Sequence, residues 1–318
     1  MSSAPLDGLL ALARATVDRA AGRRSDEGWL AAAWADPRTR VIRVADGRAL
    51  VDGLDGPDGA DSRPALVAVA PAEAPVGERY LLGVDDAGRA WFAVRTDGPL
   101  RAPLGSAAVP LGLREVGALL DDRDAGLLVL AVALANWHAT HVHCPRCGTP
   151  TELAQAGFAR RCPADGSEHY PRTDPAIIVL VTDASGERAL LGHATRWPPR
   201  RFSTLAGFVE AGESAERAVV REVAEEAGLE VGRVRYLGSQ PWPFPSSLML
   251  GFTARAVDPQ AVPRPDGEEI AEARWFDRAG LADAVRAGDV LLPPPVSIAR
   301  RLVEHWYGGP LDDTGRLW

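Results

Sequence analysis

The sequence predicts an α+β protein of several units, and three observations predict it. Its 318 residues exceed what one ordinary core organises. Hydrophobic residues at 46% and charged residues at 25% place it among globular chains rather than disordered ones. The hydrophobic period also changes along the chain, from short alternating segments, through a long stretch at helical spacing, to strands interrupted by a helix with its own start and stop signals.

Residues 1–112 alternate apolar segments, such as Ala65–Ala70 and Tyr80–Val84, with Gly, Pro and Asp clusters that include Asp52–Arg63. That pattern predicts a strand-rich N-terminal domain with long surface loops, and no motif in it carries chemistry. Residues 113–140 show helical spacing and form the expected connecting helix. Residues 141–171 hold a compact Cys/His cluster. From 172 to 318 the pattern runs through strands, a loop, a helix, more strands and a final helix, and this is the expected chemical unit.

A net charge of −8 argues against a general nucleic-acid or anionic-membrane surface, which recruits cationic side chains in excess. All 35 basic residues are Arg, which coding bias in an Ala-, Gly- and Pro-rich chain explains most simply. Asp7, Arg14, Asp18 and Arg19 interrupt the apolar stretch of residues 1–22, so it does not read as a signal peptide and export is not expected. The strongest apolar run, Leu127–Ala135, is far shorter than the roughly 20 residues of a membrane span and reads as a buried helix. Cys144, Cys147 and Cys162 are an odd, clustered set rather than a disulfide framework, which fits a reducing cytoplasm.

The chemistry concentrates in Gly207 to Leu229. A Gly-containing loop leads into a helix with Ser214 near its start and Gly228 as its stop signal. On that helix Glu222 and Glu226 are four residues apart and Glu225 is three from Glu222, so the carboxylates share one ridge, expected to face solvent. Crowded like charges repel, and Mg²⁺ or Mn²⁺ binds such a cluster of oxygen ligands. For any single Glu, a solvated acidic face paired with Arg217 and Arg221 remains the plainer reading.

The full spacing resembles the Nudix box: Gly207, five residues, Glu213, seven residues, then Arg221-Glu222-Val-Ala-Glu225-Glu226-Ala-Gly228-Leu229. The resemblance implies a Nudix α/β/α sandwich with a mixed sheet, and water attack on a phosphorus of a nucleoside diphosphate derivative. It implies Glu222, Glu225 and Glu226 as catalytic and metal-holding residues, with Glu213 and Arg221 orienting the metal-binding turn. Glu269 matches a further acidic position, as metal ligand or general base, and Ala206 falls where a backbone carbonyl joins the metal.

The substrate reading comes from Ser239-Gln240-Pro241-Trp242-Pro243-Phe244-Pro245-Ser246-Ser247. Alternating Pro stiffens an extended loop, Trp242 and Phe244 offer flat faces for base stacking, and Gln240 and Ser247 offer hydrogen bonds. An edge loop with core-packing aromatics is the alternative. The string resembles the signature of NADH pyrophosphatases within the Nudix superfamily. That resemblance implies Tyr170 and Phe208 sandwiching the nicotinamide ring, with the Tyr from a neighbouring subunit of a homodimer, and Ala299 contacting substrate through its backbone.

Cys144-Pro-Arg-Cys147-Gly, followed fifteen residues later by Cys162, has half the spacing of a zinc ribbon. The family carries a second Cys pair, and counting from Cys162 places Asp165 at the missing position. A structural Cys₃Asp zinc site, a site completed by His143 or His169, and a metal-free ribbon all remain open.

The implied function is divalent-metal-dependent hydrolysis of the pyrophosphate of NADH or NAD⁺ to NMNH or NMN and AMP, with NAD caps on RNA as a further substrate and no membrane partner. Two alternatives stand beside it. One is a Nudix hydrolase of broader specificity, acting on ADP-ribose or other nucleoside diphosphate derivatives. The other is a non-catalytic nucleotide sensor, whose mark would be a degraded carboxylate set.

Overall fold

The computed structural model describes residues 6, 10–54, 63–103 and 105–313. Asp7 and most of the loop expected at Asp52–Arg63 lie outside the described residues. The chain forms two compact units. One comprises residues 1–13, 174–242 and 247–318, and the other residues 14–173 and 243–246.

The second unit opens with helix α1 (Glu27–Ala35), whose N-cap Asp26 accepts from the Trp29 amide. Strands β1 (Arg40–Ala45), β2 (Arg48–Asp52), β3 (Ala65–Leu66), β4 (Ala68–Val69), β5 (Glu78–Val84), β6 (Ala90–Arg95) and β7 (Val109–Gly112) build one sheet, confirming the strand-rich reading. The main order is β3-β2-β1-β6-β5, with β1 and β6 parallel. Val41, Leu81, Phe92 and Val94 form its core against Trp29, Leu30 and Trp34 of α1.

The helix expected over 113–140 is two helices, α2 (Leu113–Val116) and α3 (Asp122–Thr140). Helical spacing carries across the break, but Asp121 takes an extended conformation and its carboxylate accepts from the Asp124 amide, starting a new helix. Leu127–Leu130 and Leu134 of α3 are buried, as the apolar run predicts. No described helix is long and apolar enough to cross a membrane.

Three short antiparallel strands follow in the order β10-β9-β8: β8 (Glu152–Ala154), β9 (Ala159–Arg161) and β10 (Glu168–His169). A buried polar network ties this segment to α3 and β5. His138, fully buried and stacked on Tyr80 with ring centroids 4.7 Å apart, contacts Gly157 O at 2.8 Å and Arg160 Nη1 at 2.9 Å. Arg160 also donates to Glu78 at 3.3 Å and to Thr151 O at 2.6 Å. An arginine only donates, so His138 Nδ1 accepts and Nε2 carries the proton toward Gly157.

The first unit is a mixed sheet between helix layers. Strands β11 (Asp174–Thr182), β12 (Arg188–Ala194), β13 (Leu205–Phe208), β14 (Val231–Trp242), β15 (Ser247–Ala256) and β16 (Ile270–Asp277) run in the order β14-β15-β11-β12-β16, with β13 added on β11. β11 and β15 are parallel, while β14 and β15 are antiparallel. Successive side chains of a strand face opposite ways, so β11 feeds two cores. Ile177, Val179 and Val181 meet Ala218, Val219 and Val223 of α4 (Ala215–Ala227) on one side. Ile178 and Leu180 meet Leu281 and Val285 of α5 (Arg278–Ala287) and Leu302 and Trp306 of α6 (Ile298–Tyr307) on the other. Burial on both faces explains why Ala176–Val181 reads as a continuous apolar run. Leu6 and Leu10 join the second of these cores, and the Leu6 amide donates to Leu237 O at 2.8 Å.

Candidate functional site

Helix α4 begins where Ser214 accepts from the Arg217 amide and ends where Gly228 takes a left-handed conformation at φ 63°, as its caps predict. Its apolar stripe seals it to the sheet, each fully buried Val contributing roughly 1.5–3 kcal/mol. The expectation of a solvent-facing ridge is corrected here. Glu222 and Glu226 are only 9% and 5% exposed, while the Glu225 side chain remains 60% exposed. The cause is β13, whose Gly207 backbone lies against the Glu222 carboxylate. A Cβ at Gly207 would fall on that carboxylate, so glycine is required for close approach rather than for an unusual φ.

Arg221 is the counter-charge of the cluster. It makes a bidentate pair with Glu213, Nε to Oε1 at 3.0 Å and Nη2 to Oε2 at 2.8 Å. It also reaches Glu222 at 2.8 Å, Glu225 at 3.0 Å and Phe208 O at 2.9 Å. With its donors spent this way, it clips the loop to the helix. Glu226 lies beyond that clip. Burial, then the charges of Glu222, Glu269 and Asp266, push its carboxyl up to about 8, while a hydrogen bond from the Ala206 backbone opposes them. Burial also raises Glu222, against the pull of Arg221.

Buried Glu226 Oε2 has no hydrogen-bond partner among the described residues. An orphaned carboxylate oxygen amid like charges is a costly arrangement that a divalent cation relieves. Hard oxygen donors from Glu222, Glu225 and Glu226 suit Mg²⁺ or Mn²⁺, so the residues present fit the metal the Nudix box implies. Glu269, exposed in the loop before β16, is close enough for its charge to act on both buried carboxylates. Asp266 was not singled out from sequence. Its carboxylate accepts from the amides of Glu268, Glu269 and Ile270, fixing the loop that carries Glu269, and the Pro265-Asp266-Gly267 turn signal could have found it.

The signature string is divided in its roles. Gln240 is fully buried, with Nε2 donating to Val296 O at 3.0 Å and Oε1 accepting from the Leu12 amide at 3.3 Å. The substrate hydrogen bond expected of its side chain therefore gives way to a core role. Pro241 and Trp242 pair with Leu248 and Ser247 at the end of the β14–β15 hairpin. Its tip, Pro243, Phe244, Pro245 and Ser246, belongs to the other unit. There the Arg114 guanidinium lies 4.4 Å from the Phe244 ring centroid, so one face that sequence offered for base stacking carries a cation. Phe208 and Tyr170 are exposed at 60% and 61%, each in its own unit, and the Tyr170 hydroxyl donates to Glu168 at 3.0 Å. Ala299 is buried in the first turn of α6, and its amide donates to Ser297 Oγ.

The cysteine segment folds as two matched knuckles. Gly148 N donates to Cys144 O and Gly166 N to Cys162 O, both at 2.9 Å, with φ of 74° and 72° at the two glycines. The second knuckle repeats the first with Asp165 in the place of Cys147. One ligand atom from each of Cys144, Cys147, Cys162 and Asp165 lies within 4.8 Å of the others. Asp165 Oδ1 accepts from the Ser167 amide and hydroxyl, while Oδ2 lies 3.8 Å from Cys144 Sγ. Three thiols and an oriented carboxylate fit a structural zinc. His143 and His169 lie outside this set, His169 contacting Ser167 Oγ at 3.1 Å.

A mixed sheet between helix layers, with a capped carboxylate helix held against a glycine strand, defines the Nudix class. Family models and a curated relative agree with that and narrow it. The NUDIX domain family matches residues 172–292, the NADH pyrophosphatase zinc ribbon domain residues 139–170, and the NADH pyrophosphatase-like rudimentary NUDIX domain residues 38–137. An NAD-capped RNA hydrolase NudC of Mycobacterium bovis is 42% identical over 313 residues, covering 93% of this chain and 94% of that one. The human NAD-capped RNA hydrolase NUDT12 is 41% identical over 198 residues, covering 59% of this chain and 42% of that one. A solved NUDIX hydrolase from Nitrosomonas europaea has 22% identity and a TM-score of 0.41, covering 53% of this chain and 94% of that one. The chain belongs to the NudC family of Nudix hydrolases, the NADH pyrophosphatase branch with a zinc ribbon.

Proposed function

We propose that this chain hydrolyses the pyrophosphate of NADH and NAD⁺ to AMP and NMNH or NMN, and removes NAD caps from RNA. One observation carries the chemistry: Glu222, lying against the Gly207 backbone, and Glu226, hydrogen-bonded by the Ala206 backbone, are both buried, with an oxygen of Glu226 unsatisfied. Glu222, Glu225 and Glu226, with the Ala206 carbonyl, would hold Mg²⁺ or Mn²⁺. When bound, such ions neutralise charge on the phosphates and acidify the attacking water. Arg221 and Glu213 keep the carboxylates in place, and Glu269, exposed beside them, is assigned to accept the water proton. Its proton then leaves to solvent, while the pyrophosphate bond breaks with AMP as one product.

Substrate choice rests on the signature string and on the names of the relatives, which act on NAD-capped RNA. Trp242, Ser247 and the exposed Phe208 are the groups we assign to dinucleotide binding, with Pro241 shaping their strand, and Tyr170 entering from a second copy in a homodimer. Residues 172–318 are proposed as the catalytic domain, 141–171 as the ribbon, 113–140 as connecting helices and 1–112 as a supporting domain, in a cytoplasmic enzyme. The test is release of AMP from NADH with Mg²⁺, with Mn²⁺ and with chelator. Cleavage of ADP-ribose much faster than NADH would overturn the substrate reading, and undiminished hydrolysis in chelator the metal reading.

A further inference from the structure

The tip of the β14–β15 hairpin is gripped by side chains far away in sequence. Asn136 on α3 donates through Nδ2 to Pro243 O at 2.9 Å and reaches Pro245 O at 3.5 Å. Arg114 on α2 stacks its guanidinium on Phe244. Neither Pro243 nor Pro245 has an amide hydrogen to donate, so each offers only its carbonyl as a backbone hydrogen-bonding group. Asn136 binds those carbonyls. An open cleft of about 490 Å³ borders the tip, lined among others by Gly47, Val132, Ala139 and Pro245, so packing leaves it room to shift.

From this we infer that Arg114 and Asn136 are positioning residues for substrate selection. They hold Pro243–Phe244–Pro245 and thereby fix the course of Trp242, which is joined to Pro243 by a peptide bond and paired with Ser247. Phe244 is the anchor of the loop rather than its stacking surface. The N-terminal domain and its helices, which hold no chemistry of their own, serve the reaction by setting the shape of the substrate loop. The inference rests on the NADH reading proposed above.

The test uses the full-length protein with Arg114→Ala, Arg114→Lys and Asn136→Ala. A lost hydrogen bond corresponds to roughly 2- to 13-fold, and a lost exposed cation–π contact to roughly 2- to 5-fold. The double Ala variant should therefore lower kcat/KM for NADH by about 4- to 65-fold, with a smaller loss for ADP-ribose, and Arg114→Lys should recover part of it. Amide exchange in residues 240–250 should quicken in the same variants, with the melting temperature close to wild type. Unchanged exchange there, or equal losses on NADH and ADP-ribose, would overturn the inference. Wild-type protein that fails to cleave NADH defeats the functional reading instead, and the exchange comparison still decides whether these residues hold the loop.

Discussion

Replacing Gly207 by Ala probes the carboxylate site with one methyl group. The new Cβ would fall on the carboxylate carbon and both oxygens of Glu222, with no other heavy atom among its three nearest neighbours. Backbone conformation is not at issue, because Gly207 is not among the residues of positive φ. A carboxylate is the far end of a flexible side chain, so it yields before the strand or helix does, and a normal contact needs a displacement of more than an ångström. Misplacing a group by that distance costs about 100-fold, or about 2.7 kcal/mol of transition-state stabilisation. Gly207→Ala should therefore lower kcat/KM for NADH by about 100-fold in saturating Mn²⁺, while the melting temperature in chelator stays close to wild type. Full activity would show that Glu222 works in another position. A large drop in melting temperature with normal activity per folded molecule would show that strand β13, not the carboxylate, had moved.

Glu226→Gln replaces a buried carboxyl whose ionisation is opposed by burial and by the charges of Glu222 and Glu269, so the metal-free protein should keep or gain thermal stability while turnover falls by about 10²- to 10³-fold; near-normal turnover refutes its assignment. Asp165→Ala should weaken zinc retention against a chelator by at least about 10- to 100-fold, the usual loss for an outer-shell partner alone, whereas Asp165→Cys should retain zinc. Elemental analysis that finds equal zinc in wild type and Asp165→Ala removes Asp165 from the site. His138 is held below its ordinary pKa, chiefly by burial, with Gly157 and Glu78 opposing and Arg160 and Arg95 adding to the depression. Its contribution is thus present above about pH 6.5 and lost as pH falls below that value, by up to about 1.4 kcal/mol per pH unit. Thermal melts from pH 7.5 to 5 should fall less steeply in His138→Gln, and parallel curves would refute the neutral assignment.

What was legible in sequence was local. Ser214 and Gly228 set the ends of α4 because a cap is a bond between near neighbours, and the two Cys-centred knuckles show Asp165 in register for the same reason. The split between α2 and α3 was hidden because hydrophobic spacing runs through Gly117–Leu120, while the N-cap at Asp121 is one residue among several acidic ones. Leu6 and Leu10 read as part of an N-terminal stretch, yet they pack with Leu237 and α6, and nothing local announces a partner more than two hundred residues away.

The same distinction explains why residue types were easier to find than their roles. Glu222 and Glu226 stand at helical spacing that any solvated acidic face could show, and their burial comes from β13, a strand whose approach depends on the missing side chain of Gly207. The spacing records that glycine without saying what it makes room for. Gln240 and Phe244 pose the converse case. Both have the chemistry of substrate-binding groups, yet Gln240 spends its hydrogen bonds on Leu12 and Val296, and Phe244 gives one face to Arg114. A side chain's capacity for a hydrogen bond or a stacking contact is fixed by its type, but its availability depends on every element that reaches it first. In this chain the groups that reach the signature string come from residues 12, 114, 136 and 296, so part of its chemistry is taken up by stretches of the sequence that carry no motif at all.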